Sequence, residues 1–151
     1  KNAFISIGKA PRNDHRMELF NKVKNIGFKI PTIISKSSYV SVYAEINEGT
    51  FIERNVVIKA DTKIGKNCII NTGAIIGHDC IIGDDVQISP GAILNGGITV
   101  GENSFIGTGA MMTQYLNIAS NTVIGAGAVV VRDINEPGVY VGNPAKFLKK
   151  V

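Results

Sequence analysis

From Val40 onward an aliphatic or thioether side chain returns at every sixth position. The column runs Ile46, Ile52, Ile58, Ile64, Ile70, Ile76, Ile82, Ile88, Leu94, Val100, Ile106, Met112, Ile118, Ile124 and Val130. Four residues after each lies a second column of mostly small residues, among them Ala44, Thr62, Cys68, Ala74, Cys80 and Ala92. An α-helix, with about 3.6 residues per turn, cannot hold a six-residue beat in register over this length. Short strands that turn every six residues can, and three of them close a triangular coil. The pattern predicts a mainly β chain, a parallel β-helix over residues 37–135.

Coils of this kind stack about 4.8 Å apart, so residues three hexapeptides apart lie one above another. Outward side chains then sort into three rows. One is mainly polar: Glu45, Lys63, Ile81, Thr99, Asn117 and Asn135. A second is mixed: Phe51, Ile69, Gln87, Phe105 and Val123. The third is wholly apolar: Val57, Ile75, Ile93, Met111 and Val129. Soluble monomers rarely expose apolar patches of this extent. Two faces are therefore expected to pack on sister chains, and a prism that uses adjacent faces closes most simply as a cyclic homotrimer.

The beat is absent at either end. Residues 3–8 read as a strand, "DHRMELFNKVKNIG" as a helix with Met17, Phe20 and Val23 on one stripe, and "FKIPTII" as a second strand. Gly27 supplies the helix stop. Residues 1–36 are thus expected to be the end of a small α/β, Rossmann-like domain, and residues 136–151 a C-terminal strand with a basic tail. The chain opens at Lys1 and runs straight into the strand-like "AFISIG", which predicts further residues upstream.

Composition narrows the reading only a little. With 44% hydrophobic and 19% charged residues the chain is globular. A net charge of +4 from scattered lysines does not point to nucleic acid, and no apolar run predicts a membrane span or signal peptide. Cys68 and Cys80 fall at interior positions of the repeat, which predicts reduced core thiols and a cytoplasmic setting.

One residue breaks the monotony. His78 follows Ile76 at an outward corner, with Asp79 beside it and Gly96 one coil above, inside "NGG". An imidazole base, an open space and a backbone N–H together suit acyl transfer: His78 takes the proton of the nucleophile and the Gly96 amide meets the oxyanion. Asp79 is placed to hold the imidazole and raise its basicity. The alternative for His78 is a solvated turn histidine. The outward column Pro90, Thr108 and Ala126 carries no long side chain and forms either a shallow groove for an extended chain such as pantetheine or a set of turn residues. Lys146, Lys149 and Lys150 read as a solvated tail, and His15 as a solvated helix-start residue. Zinc sites need several ligands and the coils hold one histidine, so no metal is expected. Flat threonine ladders, as an ice-binding surface would need, are absent from the rows.

"NTGAIIGHDCIIGD", "ISPGAILNGG", "GVYVGNPAK" and "FISIGKAPRNDHR" resemble the hexapeptide-repeat sugar acyltransferases. The nearest likeness is to the group that acetylates nucleotide-activated 4-amino sugars for bacterial surface glycans, with its sialic acid O-acetyltransferase relatives. The resemblance implies a left-handed coil and an acetyl-CoA-dependent N-acetyltransferase acting on a nucleotide-linked amino sugar. It implies His78 as general base, Asp79 as the acid that tunes it and Gly96 as the oxyanion donor. Acetyl-CoA would lie between subunits near Gln87, Thr108 and Ala126, and Gly8 would touch the sugar nucleotide. Two departures stand out: Gln87 occupies a place where many relatives carry a second histidine, and the family's first glycine-rich strand-loop is missing. The alternatives are O-acetylation of a sialic acid-type sugar and a non-catalytic scaffold subunit.

Overall fold

A computed structural model describes residues 1–11 and 14–151. Arg12 and Asn13, within "FISIGKAPRNDHR", lie outside the described residues. The chain winds into a parallel β-solenoid whose two-residue strands pair with the strand one coil away, as in Ile75↔Ile93 and Ile93↔Met111. Among the described residues the strands form faces of eight, six and five. The architecture is consistent with the left-handed β-helix that the resemblance implies.

Each column has a physical task. The aliphatic column fills the prism axis, and Ile52, Ile58, Ile64, Ile70, Ile76 and Leu94 have no exposed surface. The small column lines the inner corners, where hydroxyls and thiols meet backbone that the ladders leave over. Thr50 Oγ1 donates to the Gly65 carbonyl (2.8 Å) and accepts the Cys68 N–H (3.0 Å). Thr62 repeats this two hexapeptides later with Gly77 (2.6 Å) and Cys80 (3.3 Å). A third column turns the corners. Asn55, Asp61, Asn67, Asp79, Asp85, Asn103 and Asn121 all hold φ between 55° and 60°, the left-handed region that asparagine and aspartate tolerate through local hydrogen bonding.

The ends differ from the sequence expectation. Residues 3–8 form no strand. A single bridge joins Asn2 to Lys29, and the carbonyls of Ile5 and Ile7 instead accept Arg16 Nη1 at 2.7 Å each. The same buried guanidinium reaches the carbonyls of Gly49 and Asn67, both at 3.4 Å. It thereby ties the N-terminal segment, the helix His15–Asn25 and the first coils together. Phe20 of that helix closes a small core with Ile5 and Ile30. Ile33–Ile34 pairs with Phe51–Ile52, so the coil begins one hexapeptide before Val40, inside the stretch 1–36 assigned to the α/β piece. At the other end Val139–Val141 continues the eight-stranded face alongside Val123–Ile124. Lys146–Lys149 then returns antiparallel to it, with Phe147 edge-on to Tyr140 at 5.6 Å. The expected basic tail is thus an exposed edge strand.

The packing of the outward rows also shifts. Phe4 meets Phe51 edge-on at 5.4 Å, and Ile69 and Gln87 are buried. The lower part of the second row is therefore covered by the chain's own N-terminal segment. The third row stays open, with Ile75 and Met111 well exposed.

Candidate active site

His78 sits where the six-stranded face turns into the five-stranded one. The coil reaches it through Ile75–Ile76 and Gly77, whose N–H donates to the Leu94 carbonyl at 2.8 Å. Asp79 takes the left-handed turn conformation, φ 56°. That kink removes the alternation that would send neighbouring strand side chains to opposite sides, so the carboxylate reaches its neighbour: Asp79 Oδ2 lies 2.7 Å from His78 Nδ1. A neutral imidazole that donates Nδ1–H to this carboxylate keeps its lone pair on Nε2. Both side chains are more than half exposed, so a substrate has access to them.

Gly96 lies over the ring. A Cβ built there would stand 2.5 Å from His78 Cε1 and 2.6 Å from Nε2, closer than real atoms approach, so only glycine lets the imidazole tuck beneath this backbone. The corner's backbone bonds run from Asn95 N to the Met112 carbonyl and from Gly97 N to the His78 carbonyl. Among the described residues these bonds leave the Gly96 N–H without a backbone partner. Imidazole, carboxylate and the Gly96 backbone are thus one cluster.

The remaining candidates lie elsewhere on the chain. Gln87 faces the N-terminal segment, where its Oε1 accepts the Lys9 N–H at 3.1 Å. It lines a cavity of about 210 Å³ together with Gly8, Lys9, Arg16, Phe51 and Ile69. Gln87 and Gly8 therefore share one pocket, away from the column of Thr108 and Ala126. Those two are exposed at the corner between the eight- and six-stranded faces, stacked above Pro90 through Gly109 N→Pro90 O (3.0 Å) and Gly127 N→Thr108 O (2.8 Å). The His78 corner and this groove flank the open apolar face on its two edges. Sequence reasoning did not single out a larger cavity of about 500 Å³ directly below His78, lined by Tyr39, Val42, Tyr43, Lys59 and Ala60. Stepping back one coil from His78 to Ala60 would have revealed that the space beneath the ring is open too.

A model of the bacterial transferase hexapeptide (six repeats) matches residues 43–78 and 79–114. The perosamine N-acetyltransferase of Caulobacter crescentus, solved as a histidine-to-asparagine variant with CoA and GDP-perosamine, is 37% identical with a TM-score of 0.91. The match spans 96% of this chain and 68% of that one. The chain belongs to the hexapeptide-repeat sugar acyltransferases. The acetyltransferase domain of PglB from Neisseria gonorrhoeae is 38% identical over 92% of this chain and 68% of that chain, TM-score 0.88, and has also been solved with acetyl coenzyme A. WeeI from Acinetobacter baumannii is 32% identical over 89% and 66%, TM-score 0.86. Comparison with curated protein sequences gave no match.

Other features of this acyltransferase bear on its chemistry. Cys68 and Cys80 are free and buried, and burial pushes the Cys68 thiol up to about 12 and raises that of Cys80. Neither thiol is placed to serve as a nucleophile at neutral pH. Among the described residues no group of three or more histidine, cysteine or acidic side chains is arranged to hold a metal. No helix among them is long and apolar enough to cross a membrane.

Proposed function

We propose that this acyltransferase moves the acetyl group of acetyl-CoA onto the amine of a nucleotide-linked amino sugar, with His78 as general base. The observation that carries the reading is the His78–Asp79 pair tucked under Gly96. Relatives that bind CoA with GDP-perosamine, or acetyl coenzyme A, give the substrate class.

The chemistry follows from the placement. The acceptor amine attacks the thioester carbonyl and a C–N bond forms. His78 Nε2 takes the amine proton, and the Asp79 carboxylate stabilises the imidazolium that results. Negative charge gathers on the former carbonyl oxygen, where the Gly96 N–H donates to it. The C–S bond then breaks, and the imidazolium returns its proton to the departing CoA sulfur. Direct transfer is favoured because, among the described residues, no activated serine or cysteine stands at the corner.

The pantetheine arm fits the Pro90–Thr108–Ala126 groove, where side chains are short. Within one chain that groove and His78 lie on opposite edges of the apolar face. A homotrimer that packs this face on a neighbour sets the groove of one subunit beside the histidine of the next. The N-terminal segment, whose Gly8 lines one pocket with Gln87, is read as contributing to the sugar-nucleotide site, and the buried free cysteines favour a cytoplasmic setting.

The test is thiol release from acetyl-CoA by wild type and His78→Ala, with nucleotide-linked 4-amino sugars as acceptors. Loss of the base should lower kcat by about 10²–10⁴ with the circular dichroism spectrum unchanged. Full activity in the variant would remove the basis of the reading. Transfer to sialic acid hydroxyls but to no amine would replace it with O-acetylation.

A further inference from the structure

The corners of the solenoid obey a rule with one exception. Every sixth residue from Asn55 to Gly127 holds a positive φ, and each is an asparagine, an aspartate or a glycine except Tyr115, at φ 58°. An aromatic residue gains no local side-chain hydrogen bond from this conformation, yet meets the clash of its Cβ in full, so the position costs stability. Burial within the chain does little to offset that cost, because Tyr115 is 66% exposed. Strain of this kind persists where the surroundings over-determine it, and it gathers at functional sites.

What Tyr115 touches is the turn over His78. It stands one coil above Gly97, and a Cβ built on Gly97 would lie 2.6 Å from Tyr115 Cε1 and nearer still to Cδ1. A Cβ on Gly96 would collide with the imidazole instead. The "NGG" turn therefore runs between two rings, imidazole one coil below and phenol one coil above, and only glycines let both come this close. No other glycine of the turn column is met in this way from the coil above: Gly73, Gly91, Gly109 and Gly127 face open space. The backbone bonds follow the same arrangement. Gly97 N–H donates to the His78 carbonyl at 2.8 Å, and Tyr115 N–H donates to the Gly96 carbonyl at 2.9 Å. The preceding peptide, which carries the Gly96 N–H, is tied at its other end, where the Asn95 carbonyl accepts Cys80 Sγ–H at 3.2 Å. Two successive glycines have the widest backbone freedom of any pair. An oxyanion donor works by being aimed before the reaction.

We infer that Tyr115 is a positioning residue for acyl transfer: its ring closes the NGG turn from above and holds the Gly96 N–H on the oxyanion. The inference rests on the acetyltransfer reading for what that amide does, while the clamp itself can be read without turnover. It accounts for a tyrosine where asparagine would fold more stably. Strain at one corner is exchanged for a donor that needs no reorganisation as charge develops.

The experiment compares wild type with Tyr115→Asn, which keeps the turn and removes the ring, and Tyr115→Phe, which keeps the ring. Thiol release from acetyl-CoA with a nucleotide-linked 4-amino sugar gives kcat and both KM values, and urea midpoints and light scattering accompany it. Tyr115→Asn should raise the urea midpoint and yet lower kcat about tenfold, less than outright loss of a donor because the amide is misaimed and not removed. Both KM values should stay as they were, since the contact acts in the transition state, and Tyr115→Phe should match wild type in kcat. Amide hydrogen exchange is the arm without turnover: the Gly97 N–H should exchange about tenfold faster in Tyr115→Asn, with Gly91 and Gly109 unchanged. Equal exchange at Gly97 in both proteins overturns the clamp. So does a Tyr115→Phe variant as slow as Tyr115→Asn, which would give the role to the hydroxyl. A fall of kcat together with the urea midpoint, or with loss of the wild-type assembly, overturns it as well, in favour of a packing or interface role. An active enzyme indifferent to Tyr115→Asn sinks the inference and spares the acetyltransfer reading, whereas a wild type that releases no thiol with any acceptor overturns that reading and the oxyanion role with it.

Discussion

Asp79 and Asp85 stand one hexapeptide apart in the same left-handed turn conformation, φ 56° and 58°, and they do different work. Asp85 is absorbed into its corner: Asn67 Nδ2 donates to it at 2.6 Å. One coil further up, Asn103 links to Asn121 at 2.8 Å and accepts from Lys9 Nζ. Burial raises the Asp85 carboxyl above its usual range, partly offset by the Asn67 hydrogen bond. Asp79 has no such ladder. Its carboxylate turns sideways to an exposed imidazole, and the coil above contributes a glycine. The backbone is the same at both corners. A corner becomes a site here when its polar side chains are not satisfied by the coils above and below.

The sharpest way to break this contrast after His78→Ala is Gly96→Ala. The new methyl would press on the imidazole and displace it into solvent, and kcat should fall about 10²-fold, the cost of moving a reacting group by about an ångström. Urea midpoints should barely move, because an exposed ring can swing away. Asp79→Asn keeps the turn, since asparagine tolerates this φ, but removes the charge. An exposed pair contributes little energy, so kcat should drop by no more than about tenfold, with an altered pH–rate profile as the signature of lost imidazolium stabilisation.

Stability measurements probe the same column. Tyr115 is its only bulky member among the described residues, at φ 58°, with its ring against Gly97. Tyr115→Asn should relieve backbone strain and raise unfolding stability by about 0.5–1 kcal/mol, read from chemical denaturation. The smallest effect is expected at Asp85. Its folded pKa lies above the unfolded value of about 4, so the folded state holds the proton more tightly there. Its contribution is most favourable in acid and is lost as pH rises from about 4 through the folded pKa. Asp85→Asn keeps an acceptor for Asn67 and should flatten that window in a series of urea midpoints against pH.

The coil was legible because its period is a physical necessity: a prism of two-residue strands must return an aliphatic side chain to its axis every sixth position. The His78 cluster was legible because stacking by whole coils converts spacing into contact, and Gly96 fell directly over His78. The turn column was equally present in the asparagines, aspartates and glycines from Asn55 to Gly127, but attention to the core passed over it. It gives Asp79 a structural reason to be acidic and small, apart from any chemistry. What periodicity does not encode is which outward row another segment covers. Gln87 falls in a row with Ile69 and Phe105 as expected, yet its partner, the Lys9 N–H, comes from a stretch with no repeat. The strand expected at 3–8 failed for a similar reason: Arg16, far away in sequence pattern, takes the carbonyls a neighbouring strand would need.

The stacking of coils has one more consequence, for how such a chain can change length. A single inserted residue between Val42 and His78 would turn every later side chain to a new face and empty the axis. A whole coil, by contrast, can be added or removed there with every ladder still paired. The depth of the cavity under the histidine is therefore counted in coils: Val42 and Ala60 make it two. Deleting one should shorten it by a single rise, about 4.8 Å, so this architecture can adjust the reach of its site only in whole steps.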